Sequence, residues 1–244
     1  MLSNNISNYN SYPRKGCKDL WNARYLKGAS YTEGNDIPIC PKCTGTIPTG
    51  LIEYSDAKNL HKKLVKEDPN YHIDKYVHFY QDDQSFEGKR TCIWEHVDEL
   101  IDLLRHFAGA ISPDFSTYAD FPHFIKGYNI YRMRAFDYIF QDHDIPVIHN
   151  TRWGTSETWS YCFDGIPQNG IIAIGVIASG LDKVVNRKYF KDGFMKAIEL
   201  LAPATIIIYG SDNFDLFDEI RARGINIVAF PSKTNLAHKK EGKA

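Results

Sequence analysis

Asp82, Asp83 and Asp114 are the residues best suited to chemistry, because each follows closely on a short apolar run of strand type. Gln81, Asp82 and Asp83 come after Tyr76 to Tyr80, and Ser112, Pro113, Asp114, Phe115 and Ser116 come after Ala108 to Ile111. Two carboxylates held roughly 5 Å apart repel by about 3 kcal/mol at an effective dielectric near 20. A site offsets that repulsion with a divalent cation, with a basic partner such as Arg152, or by retaining a proton on one acid. The first route is Mg²⁺- or Mn²⁺-assisted chemistry on phosphate esters. The third is general acid and base catalysis, as in glycoside hydrolysis. The simpler alternative makes Asp82 and Asp114 caps of turns or helices, and gives Asp212 only that role.

Other groups surround the same strand ends. His149, Asn150, Arg152 and Trp153 follow a third apolar run, and Glu157, Trp159, Tyr161 and Asp164 precede a fourth. Asn150, Trp153 and Asp164 are therefore candidate substrate contacts, with Arg134 reaching the carboxylates from behind. The stretch from Thr151 to Asp164 is long and aromatic for a connection, which suits a lid or ligand wall and equally suits packing across the sheet end. Tyr128, Tyr131, Arg132 and Arg134 could address a phosphate chain. The plainer reading puts Tyr128 in the core and the arginines in solvent or against carboxylates. Cys40-Pro41-Lys42-Cys43 has the spacing of half a zinc site, with Cys17, His61 and Cys92 as further ligands at unpatterned distances; incidental loop thiols are the alternative. No Walker loop, dinucleotide fingerprint or Gly-x-Ser-x-Gly elbow is present.

The elements that must position these groups read as strands alternating with helices. Strands are expected at Tyr76–Tyr80, Ala108–Ile111, Ile145–Ile148, Gly170–Ile177, Thr205–Tyr209 and Ile225–Phe230. Helices are expected from Ser55 to Lys66, from Ile93 to Phe107, from Asp120 and Pro122 to about Gln141, from Tyr189 to Leu201, and from Asp212 to a stop at Gly224. Phe121, Phe124, Ile125, Tyr128, Ala135 and Ile139 form the stripe expected to be buried on the longest helix. This is an α/β pattern with a mainly parallel sheet of about six strands and helical crossovers. Periodicity leaves a doubly wound sheet and an incomplete, barrel-like sheet equally open. Residues 1–14 read as a flexible terminus, 15–70 as an irregular segment, 71–232 as the α/β domain and 233–244 as a flexible tail carrying lysines.

Asp82-Asp83 with Phe86, the run SPDFSTY from Ser112 to Tyr118, Tyr131 and Arg134, Trp153, the run CFDGIP from Cys162 to Pro167, and Tyr209-Gly210 form a specific combination. Together they resemble an uncharacterised domain-of-unknown-function family met in bacteria, their phages and mobile elements. The resemblance spans about residues 75 to 212. It implies a shared fold, shared positions and a mobile-element origin, not an activity.

Composition narrows the function classes. Lys+Arg 29 against Asp+Glu 30 leaves a net charge of −1, which argues against a nonspecific nucleic-acid coat. Hydrophobic residues at 43% argue against a disordered chain. No run is long and apolar enough for a membrane span, the N-terminus lacks a signal-type apolar core, and the cysteine count of 5 is odd, which suits a cytoplasmic protein with free thiols. Aromatic residues make up 14%, with four in the loop carrying Trp153, Trp159, Tyr161 and Phe163. The expectation is a hydrolase or transferase acting on a nucleotide or nucleic-acid phosphoester, with a non-catalytic module for a small ligand or host protein as the alternative.

Overall fold

In a computed structural model, which describes residues 13, 15–40, 42–177, 179, 181 and 183–233, the chain forms one sheet of seven parallel strands. The strands are β1 (Leu51–Glu53), β2 (Ile73–His78), β3 (Phe107–Ile111), β4 (Val147–Asn150), β5 (Ile171–Gly175), β6 (Thr205–Tyr209) and β7 (Asn226–Phe230). The helices are α1 (Tyr54–Glu67), α2 (Gln84–Glu87), α3 (Val97–Leu104), α4 (His123–Asp142), α5 (Val184–Leu201) and α6 (Asp215–Ala222). Both polar termini, residues 1–12 and 234–244, lie outside the described residues.

Strand order in space is strand order in sequence. A doubly wound sheet reverses direction once; this one never does, so crossovers of the usual hand leave the helices on one face. The other face curls inward. Ile206 and Ile208 of β6 pack in the helix-side core, while Ile207 and Tyr209 face an inner cluster with Tyr76, Tyr80, Ile111, Ile148 and Ala173. The curl brings β2 to β6, although three strands separate them in the sheet: the rings of His78 and Tyr209 lie 4.2 Å apart and those of Tyr80 and Tyr209 5.3 Å apart. Gly175 permits this, because a Cβ there would stand 2.5 Å from the Tyr80 ring. Across the seam between β7 and β1, Lys233 Nζ lies 2.6 Å from both Glu53 Oε2 and Asp56 Oδ2, and Tyr209 donates to Glu53 at 3.0 Å. The result is an incomplete barrel, a curled half-barrel sheet.

Four elements differ from their sequence signals, each for a physical reason. β1 and α2 span three and four residues, too short for periodicity to register, whereas α1 follows the helix expected from Ser55 to Lys66 and with β1 forms a first unit inside the segment 15–70. Ile93 and Trp94 are buried but precede α3: the Ile93 N–H bonds to Phe86 O at 2.8 Å, holding the backbone in a turn. Asp212 does not cap α6; its carboxylate pairs with Arg221, and Phe214 occupies the cap position without a side-chain bond.

α4 is the clearest reversal. Phe124 is 87% exposed, and Ile125 and Tyr128 are also exposed, whereas Lys126, Asn129, Arg132, Arg134 and Asp137 are buried. The buried face of this helix thus mixes these polar groups with Ile130, Met133, Ala135, Phe136, Ile139 and Phe140, because it meets the polar ends of β3 and β4 as well as the core. Arg132 pairs with Glu87 and lies 3.8 Å over the Phe115 ring. Residues 15–50, irregular apart from the 3-10 turn Ala23–Tyr25 and an isolated bridge between Tyr31 and Pro38, run along α4. The hydroxyls of Tyr128, Tyr131 and Tyr138 donate to the carbonyls of Leu20, Trp21 and Lys27. Among the described residues no helix is long and apolar enough to cross a membrane.

Candidate functional site

Asn150, the last residue of β4, is fixed from four directions at the carboxyl ends of the strands. Its side-chain oxygen accepts from Tyr80 Oη at 3.0 Å, and its amide nitrogen donates to Asp114 Oδ1 at 2.7 Å. Its backbone N–H donates to Ser112 Oγ at 2.9 Å, and its carbonyl accepts from Arg134 at 2.6 Å. The other oxygen of Asp114 pairs with Arg152. A buried carboxylate saturated by an amide and a guanidinium is satisfied and tightly oriented.

Asp83 belongs to the same neighbourhood. Burial raises its pKa above the ordinary carboxylate value, a hydrogen bond with Ser116 opposes the rise, and the charges of Glu87 and Asp114 add to it. That carboxyl is thereby suited to carrying a proton. Asp82, one residue earlier, is exposed, and its carbonyl takes the Ser85 N–H. The three aspartates do not form a group with oxygens at one metal-sharing distance; among the described residues the group that does so is Cys40, Asp137 and His149.

Beside Arg152 opens a cavity of about 460 Å³. Thr117, Thr151, Thr155, Ser179 and Asn186 supply polar groups, and Tyr118, Trp153, Tyr189 and Phe190 supply rings. The size and mixed lining are those of small-molecule sites. The hydroxyls of Thr117 and Thr151 are buried without a hydrogen-bond partner among the described residues. Trp153 is anchored from behind by Phe190, Phe194 and Phe163, so it forms a stiff wall. Of the loop aromatics, Tyr161 and Phe163 are buried in the core and Trp159 is half-buried.

The remaining candidates lie apart from the cavity. Arg134 is 1% exposed and acts from behind, joining the Asn150 carbonyl to Asp137. Asp164 accepts from Asn35 at 2.8 Å and so ties the N-terminal segment to the loop before β5. Cys43 Sγ accepts the Ile171 N–H at 3.2 Å, whereas Cys40 lies among Asp137 and His149, so the two thiols serve different places.

On the inner face, His78, Tyr80, Tyr209 and Glu53 complete the mouth, and none is a sequence candidate. Burial, with a smaller contribution from the Lys233 charge, lowers the His78 pKa to about 3. The available signal was the period-two row Tyr76, His78, Tyr80, which points one way from a strand.

The chain belongs to a domain of unknown function family, DUF4417, whose model matches residues 31–231. It is similar to the gene 1 protein of Mycobacterium phage L5, 31% identical over 144 residues, covering 57% of this chain and 61% of that protein. It is also similar to the gene 1 protein of Mycobacterium phage D29, 30% identical over 134 residues, covering 55% of this chain and 48% of that one. The matches thus span about half to three-fifths of these relatives. No solved structure matches.

Proposed function

We propose that the protein binds a nucleotide-like phosphoester at the mouth of the curled sheet and acts on it as a hydrolase or transferase. One observation carries this reading: Arg152, oriented by Asp114 and Asn150, borders a 460 Å³ cavity walled by Trp153, Tyr118 and Tyr189. A guanidinium suits a phosphate, and planar rings suit a base. Asp83, its proton affinity raised by burial, would serve as the acid or base, and Asp114 would hold Arg152 in register. A hard divalent cation such as Mg²⁺ or Mn²⁺ would find its protein oxygen ligand in Asp83, since Asn150 and Arg152 hold both Asp114 oxygens, and would supply charge neutralisation for a phosphate. Asp82 would contribute only by its charge, and Asp164 by holding the loop that carries Trp153.

A screen of nucleotides, DNA, RNA and glycosides, with and without Mg²⁺ or Mn²⁺, tests the reading. Arg152→Met is expected to weaken nucleotide binding by about tenfold or more, the loss of a charge-assisted bond pair. Asp83→Asn is expected to lose turnover while binding persists. Absence of both binding and turnover for every class overturns the proposal. A second reading, a binding module without catalysis, draws on the fact that Asp114 is already saturated by Arg152 and Asn150. Binding without turnover in the same screen would select it.

A further inference from the structure

On the helix side of β4, directly behind Asn150, three metal-capable side chains from distant stretches of chain meet. Cys40 comes from the N-terminal segment, Asp137 from α4 and His149 from β4, and one donor atom of each lies within 4.8 Å of the other two. Their exposures are 2%, 0% and 1%. Hydrogen bonding accounts poorly for them. Neither ring nitrogen of His149 nor Asp137 Oδ2 has a well-directed partner among the described residues, although Nδ1 stands 3.1 Å from Oδ2 and Arg134 Nε 3.2 Å from it. A buried polar atom with no partner costs on the order of 1–3 kcal/mol; His149 Nε2 is in that state among the described residues, while Nδ1 has only the Asp137 carboxylate beside it. Cys40 Sγ makes only a weak contact with the Arg134 carbonyl at 3.8 Å.

We propose that Cys40, Asp137 and His149 hold a divalent transition-metal ion of the zinc class that fastens the N-terminal segment to α4 and β4. The donor set decides the class of ion: a sulfur, an imidazole nitrogen and a carboxylate oxygen suit zinc, and do not suit Mg²⁺ or Ca²⁺, which take oxygen alone. Bond lengths of about 2.0–2.3 Å put tetrahedral neighbours roughly 3.3–3.8 Å apart, so loading draws the three donors together by up to about 1 Å. Ser112 already holds the other Asp137 oxygen, which leaves Oδ2 for the ion. Loading expels the Cys40 thiol proton to solvent; the thiolate and carboxylate then offset the dication, and the Arg134 guanidinium, until then paired with Asp137, is left as the net positive charge of the cluster. Arg134 keeps the Asn150 carbonyl as its acceptor. The Cys40-x-x-Cys43 spacing takes no part, since Cys43 is committed to Ile171.

The test uses the full chain, purified without chelator and analysed for bound metal, then stripped and titrated with Co²⁺. The expected result is equimolar zinc, a thiolate-to-cobalt charge-transfer band in the near ultraviolet, and release of about one proton per ion. Cys40→Ser should abolish the band. His149→Gln and Asp137→Asn should weaken binding by more than about 100-fold, beyond the 10–100-fold typical of outer-shell losses. Cys43→Ser should keep both metal and band. Absence of metal, band and proton release in the wild-type chain overturns the proposal, as does a Cys43→Ser loss equal to that of Cys40→Ser. If the ligand variants fail to fold, the wild-type spectrum and proton count still decide. The outcome is independent of phosphoester binding at the mouth.

Discussion

His78 shows how much one residue's surroundings can depend on a fold that its neighbours in sequence do not reveal. It lies inside the curl against Tyr209, and its Nδ1 accepts the Tyr80 N–H at 3.3 Å. Its pKa, lowered to about 3 from 6.5, keeps it neutral when folded, while the unfolded chain takes up a proton below about 6.5. Between these values the unfolded state binds more protons, so stability falls as pH falls through that window and is fully present above it. The group can contribute up to about 1.4 kcal/mol per pH unit. His78→Gln, which retains an acceptor for Tyr80, is expected to show a shallower acid decline; urea titrations of both proteins at several pH values between 7 and about 4 would measure the difference. Asp114 was legible from sequence because it follows a strand directly, and its partners were not. The links from Asn150 to Tyr80 and from Asp114 to Arg152 join separate strand ends, and no local pattern encodes a pairing across a sheet.

At the scale of elements, α5 fits tightly against the Trp153 wall. A Cβ at Gly193 would lie 2.2 Å from Trp153 Cδ1, so the helix can approach this ring only with glycine there. Helix propensity alone would make Gly193→Ala stabilising by about 1 kcal/mol. Overpacking against a ring anchored by Phe190 and Phe194 is expected to reverse the sign, for a net loss of about 1–2 kcal/mol. Denaturant unfolding followed by tryptophan fluorescence would decide the sign, and an increase in stability would show that Trp153 yields easily. Element type was well signalled where apolar spacing was regular. β6 spans Thr205–Tyr209, as the apolar run alone indicated, and α3 buries Val97, Leu100, Ile101 and Leu104 in one stripe. On α4 the signal held for Ala135 and Ile139, which are buried, and failed on the first half, where Phe124, Ile125 and Tyr128 of the expected stripe are exposed. There Lys126, Asn129 and Arg132 go inward instead, each held by a polar partner from another segment.

For the molecule as a whole, the sequential strand order creates a gradient of protection. Central strands have paired neighbours on both sides, while β1 and β7 are paired on one side only among the described residues. Their seam rests on Lys233 with Glu53 and Asp56, and Lys233 is half exposed, so these ion pairs contribute roughly 0–1 kcal/mol. Native-state hydrogen exchange is therefore expected to open β1 and β7 at lower free energy than β4 to β6. Equal protection across all seven strands would mean that the seam is stronger than its ion pairs imply. The alternation of strands and helices identified a parallel α/β protein, but the choice between reversal and curl depended on strand order, which periodicity does not carry.

The contacts that draw the mouth together also set when it can form. Glu53 and Tyr209 are 156 residues apart, and Lys233 reaches Glu53 from beyond β7. During synthesis, the early βα units can fold on their neighbours while β6 and β7 are still within or behind the ribosome. Until those last strands emerge, His78 has no Tyr209 ring against it, and the burial that lowers its pKa is incomplete. The inner edge of β2 is thus covered only when the end of the chain arrives.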